Sequence, residues 1–75
     1  MAKTVAELTD EKLEAEIHLA GVHVELSQVL MGEPGATFHL HVAERDFWKD
    51  KMERGVKARS PGMVKKLAEA RGLAA

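Results

Sequence analysis

Cysteine and tyrosine are missing from this 75-residue chain, tryptophan occurs once, and phenylalanine and proline occur twice each. Without cysteine there is no disulfide framework, no thiolate nucleophile and no cysteine-based zinc site. A small domain without disulfides fits a reducing compartment, so a cytoplasmic setting is expected. Long apolar runs are missing too. Glu14, Glu16, His18, His23 and Glu25 interrupt the richest stretch, so no segment reads as a membrane span. The opening MAKTVAELTDEK has no apolar region and does not read as a signal peptide.

Chemical motifs are equally scarce. There is no phosphate-binding loop, no dinucleotide fingerprint and no His-Glu-x-x-His zinc helix. The Glu-x-x-His pair of di-iron helical bundles is also missing. The only serines are Ser27 and Ser60, and Ser60 is better placed as a helix cap. So short a chain has few walls to surround a small ligand. No enzyme activity, cofactor or small-molecule substrate is therefore expected.

Charge is present but segregated. The net charge is -1. Residues 1–48 hold three bases against nine acids, a charge of -6. Residues 49–75 hold eight bases against three acids, a charge of +5. Such asymmetry fits a basic tail folded onto an acidic first half, head-to-tail association, or a basic surface for a polyanion.

Residues 13–31, LEAEIHLAGVHVELSQVLM, are the densest apolar run. Two periodicities compete there. At helical spacing, Leu13, Ile17, Ala20, Val24 and Met31 form one stripe. Leu19, Val22, Leu26, Val29 and Leu30 form a second on the opposite side, with His18, His23, Ser27 and acids between. At strand spacing, residues 13–19 alternate, and so do residues 22–26 and 37–42.

Capping signals favour helices. Thr9 precedes Asp10 and Glu11 as a candidate N-cap, and Ser60-Pro61 is a preferred helix opening. Gly32, Gly55 and Gly72 close three segments, with Gly32 expected as a left-handed terminator. The expected fold is mainly α within one domain, residues 1–75, with helices over about 10–31, 38–54 and 61–71. The alternative is α+β, a three-stranded antiparallel meander (13–19, 22–30, 37–43) followed by two helices.

Each choice carries a consequence. On strands, His18, His23, His39 and His41 converge toward a zinc or nickel site. On helices that site dissolves, no metal is expected, and the second apolar stripe has no partner within the chain. The segment from Ser60 to Ala74, SPGMVKKLAEARGLA, resembles the opening helix of peripheral subunit-binding domains of 2-oxoacid dehydrogenase acyltransferases. The resemblance covers that one helix and implies docking on acidic protein surfaces.

The leading expectation is a non-catalytic protein–protein interaction module: a small subunit, adaptor or inhibitor of accessory or phage type, or a self-associating chain. Its contact residues would be Leu19, Val22, Leu26 and Leu30, with Trp48 as an aromatic anchor or a core residue. The second expectation is nucleic-acid binding through Lys57, Arg59, Lys65, Lys66 and Arg71. Asp50, Glu53 and Glu69 interrupt that basic surface.

Overall fold

The computed structural model describes residues 2–35 and 37–74. They form three helices: α1 (Val5–Met31), α2 (Phe38–Lys57) and α3 (Pro61–Ala74). Among the described residues there is no strand. The three-helix reading holds and the meander over 13–19, 22–30 and 37–43 does not form. The alternation in residues 13–26 belongs instead to a helix with apolar residues on two opposite sides, which mimics a period of two over short windows.

α1 starts one turn and more before Thr9. Thr4 is the N-cap, and its hydroxyl accepts from the Glu7 backbone N–H at 3.1 Å. The same hydroxyl donates to the Glu7 carboxylate at 3.2 Å, so this first turn is closed by side chain and backbone together. Thr9 lies inside the helix, and its hydroxyl donates to the Val5 carbonyl at 2.7 Å. That back-bonding removes it from competition as a cap.

The far end also departs from expectation. Gly32 has φ -79°, so the helix ends right-handed, its N–H bonding to the Val29 carbonyl at 3.1 Å. Chain reversal falls to the Pro34-Gly35 turn, where Gly35 has φ 156°. Phe38 and the residues after it are helical, and α2 runs through Gly55 to Lys57. Ser60 caps α3 as expected: its hydroxyl accepts from the Met63 N–H at 3.1 Å, and Pro61 takes the first helical position.

α1 and α2 pack as an antiparallel hairpin and make the principal interface of the molecule. One run of half-buried or buried positions on α1 is Leu13, Ile17, Ala20, Val24, Ser27 and Met31. A matching run on α2 is His41, Arg45, Trp48, Met52, Gly55 and, just past its end, Arg59. Both sets step by four and three residues alternately, the heptad spacing of helices that pack along their whole length. Ser27 fills the position that the first apolar stripe skips, and it is buried to 3% exposure.

The most deeply buried residues of the seam are small. Ala20 is 1% exposed and is the only fully buried apolar residue described. A methyl group on Gly55 would lie 2.7 Å from Cγ1 of Ile17, too close to be accommodated without a shift. Gly55 is thus where the α2 backbone packs against the Ile17 side chain of α1, and not the terminator read from the sequence.

α3 is fixed at its start. The Arg59 guanidinium donates two hydrogen bonds of 2.9 Å to the Glu14 carboxylate. Ser60 donates to Asp10 at 3.2 Å. Beyond these, α3 borders two shallow clefts, one against the start of α1 and one against the end of α2. The result is elongated, 51 × 30 × 21 Å, with a radius of gyration of 16.0 Å. A compact domain of this length has about 11 Å.

His41 supplies a stability test. Its Nε2 meets the Thr37 hydroxyl at 3.2 Å, while its buried Nδ1 has no partner. Replacing it with leucine removes an unsatisfied polar atom from the seam and introduces a better helix former. We expect His41→Leu to raise stability by about 1 kcal/mol, read from a urea melt followed by circular dichroism. A loss of stability would mean that the Thr37 contact outweighs the orphaned nitrogen.

Candidate protein-binding face

The α1–α2 seam uses one side of α1 and leaves the other open. Leu19, Val22, Leu26 and Val29 of α1 and Phe47 of α2 are between 47% and 65% exposed. Leu30 is half-buried at the edge of this stripe, and Ala15 extends it one step toward the N-terminus. From Ala15 to Val29 the spacing is again four and three residues alternately. α1 therefore carries two heptad seams on opposite sides, of which α2 covers one.

His23 links the open side to α2. It follows Leu19 by four residues and precedes Leu26 by three, which places it between them on the helix surface. Its ring stacks on Trp48, with centroids 3.9 Å apart and planes 6° from parallel. Phe47 meets the indole edge-on, with centroids 5.2 Å apart. The Lys51 ammonium lies 5.1 Å from the indole centroid, within cation–π range. On α1, His23 is flanked by Leu19 and Leu26, and through Trp48 it is linked to Phe47 of α2. Trp48 is half-buried, and it belongs both to the seam and to this stack.

The other histidines serve local roles. His18 is exposed, His39 meets Phe38 edge-on, and His41 lies in the seam. Among the described residues no group of three histidine, aspartate or glutamate side chains is placed to hold a metal ion. The helical backbone keeps His39 and His41 from sharing a face, so the four rings do not converge.

The basic residues named from sequence are dispersed. Arg59, only 18% exposed at its side chain, is engaged by Glu14. Lys66 borders the cleft that Glu7, Asp10 and Glu11 line, whereas Arg71 borders the other cleft with Val56, Val64 and Leu67. Lys57 and Lys65 are exposed. Part of the basic tail therefore meets the acidic start of α1 within the chain.

Among the described residues no helix is long and apolar enough to cross a membrane. The stack beside the stripe was not singled out by sequence reasoning. Phe47 lies outside both apolar stripes of residues 13–31, and His23 reads as part of the polar gap between them. The clue was available in the register, since His23 sits among the leucines it separates. Compared with protein-family models, curated proteins and solved structures, the chain matches none.

Proposed function

We propose that this chain is a non-catalytic protein–protein interaction module that works by covering the open face of α1 with another protein surface. The single observation that carries the reading is the exposed stripe of Leu19, Val22, Leu26 and Val29 along α1, with the His23–Trp48–Phe47 stack beside it. Apolar side chains lie at its centre, and aromatic residues are the usual anchors of such surfaces.

The accessible surface supports the same reading. The chain exposes 6062 Å², whereas a folded monomer of its mass exposes about 4,500 Å². The roughly 1,500 Å² in excess is ample for one side of a standard interface, which needs about 800 Å². The polar residues offer no competing chemistry of comparable coherence.

A benzophenone side chain in place of Leu26 tests this directly. Irradiation in lysate is expected to give a discrete covalent adduct whose mass identifies the occupant. Adding Leu19→Glu should abolish that adduct. A chain that stays unmodified under all conditions would remove the reading.

A further inference from the structure

We infer that the occupant of the open α1 face is a second copy of this chain, its α1 lying antiparallel to the first about Val22. This rests on the interaction reading above and narrows it to one partner. Three observations support it.

The first is register. The open seam reads Ala15, Leu19, Val22, Leu26 and Val29, and Val22 stands at its centre. A two-fold axis at Val22 sets Leu19 against Leu26 of the second copy, and Ala15 against its Val29. Large residues meet large ones in the middle, and small meets β-branched at the edges. A self-complementary surface of this kind is what a two-fold dimer requires.

The second is charge. The first half of α1 carries Glu7, Asp10, Glu11, Glu14 and Glu16 against the single base Lys12, whereas residues 18–31 carry only Glu25. Parallel packing would stack the acidic halves on each other. Antiparallel packing sets each acidic half against a nearly uncharged one and opposes the helix dipoles. His18 and Glu25 flank the same side of the seam, four residues before and three after Val22. The two-fold arrangement therefore puts His18 beside Glu25 of the second copy, with no like charges opposed there.

The third is area. The excess surface of each chain exceeds what one side of a standard dimer interface buries. The elongated hairpin presents its open stripe along the middle of α1, so two copies can meet there without their α3 segments colliding at the same end.

The absence of native cysteine makes the test clean. Light scattering on the purified full chain is expected to give twice the 8.2 kDa chain mass. Leu26→Glu would bury two carboxylates near each other in the seam and is expected to weaken association about 100-fold. Should that variant lose helicity, single cysteines decide the matter. Val22→Cys is expected to form an interchain disulfide on mild oxidation, whereas Val29→Cys alone is not. Val29→Cys mixed with Ala15→Cys should cross-link heterotypically. Cross-linking of Val29→Cys to itself would overturn the antiparallel arrangement, and a chain that stays monomeric at every concentration would overturn the dimer. If the purified chain is monomeric while the benzophenone variant captures a different protein, self-association fails and the interaction reading stands. If no adduct of either kind forms, both fail.

Discussion

Gly55→Leu is expected to open the helical hairpin, costing about 3 kcal/mol and roughly 15 °C in Tm. Even a methyl group there would lie 2.7 Å from Ile17 Cγ1 and 3.8 Å from Leu13 Cδ1. A leucine must therefore push α2 away from α1 along the seam where Ala20 and Ser27 are most deeply buried. A gain in helix propensity of about 1 kcal/mol over glycine offsets only part of this. Truncating the opposing residue should recover much of the loss, so Gly55→Leu with Ile17→Ala is expected to be more stable than Gly55→Leu alone. Gly21 is the matched control. A methyl group there would meet Met52 Sδ at 3.7 Å, an ordinary contact. Gly21→Ala is accordingly expected to stabilise by up to about 1 kcal/mol. Thermal melts monitored by circular dichroism check all four chains. A Gly55→Leu melt matching the parent would show that Ile17 does not press against α2 here.

Arg59→Ala is expected to free α3 from the hairpin. Arg59 and Glu14 form a two-pronged pair at 18% and 30% side-chain exposure, better sheltered than the other ion pairs among the described residues. Lys12–Glu16 and Arg54–Asp50, for example, are spaced i,i+4 on open helix surface, where such pairs contribute about 0.3–0.5 kcal/mol. Paired, charge-assisted bonds with partial shielding are worth more, and loss of the arginine should cost about 1–2 kcal/mol. The change is local: the segment after Lys57 should become sensitive to protease while the α1–α2 hairpin persists. The swapped pair, Glu14→Arg with Arg59→Glu, should restore protection in part. Equal protease resistance in Arg59→Ala would mean that Ser60–Asp10 alone holds α3. Raising the salt concentration should weaken the clamp only modestly, because screening acts most on exposed charges.

Much of this fold is legible in the sequence, and the exceptions have physical causes. Ser60-Pro61 announces α3 because both residues serve the same helix start. Thr9 misleads because its neighbours Asp10 and Glu11 look like a first turn, while Thr4 with Glu7 closes a better one. Gly55 misleads because the same lack of a side chain serves a terminator and a close backbone approach. Only the partner helix distinguishes them. Ser27 sits in the buried seam although its hydroxyl argues for the surface, and the four-three spacing was the sole sign of its place.

The open apolar face of α1 was legible in part. Leu19, Val22 and Leu26 stand out as a stripe because their helix cannot bury two sides against one neighbour. His23 and Phe47 do not, because their place beside it depends on a stack across two helices. The basic residues of the tail read as one surface in the linear sequence, but folding divides them. Arg59 turns inward to Glu14, and Lys66 and Arg71 border different clefts. Nucleic-acid recognition by this tail would have to rely on Lys57, Lys65, Lys66 and Arg71.

The His23–Trp48 stack also makes the protein its own optical probe. Trp48 is the only tryptophan and no tyrosine competes with its emission. The indole stacks on His23 of α1 at 3.9 Å and meets the exposed Phe47 at 5.2 Å. Separation of the hairpin would remove the imidazole from its ring and admit water, whereas a bound partner would exclude water from its outer edge. The two events should therefore shift its fluorescence in opposite directions. Folding, and the docking proposed above, can then be followed on the unlabelled chain through a single side chain.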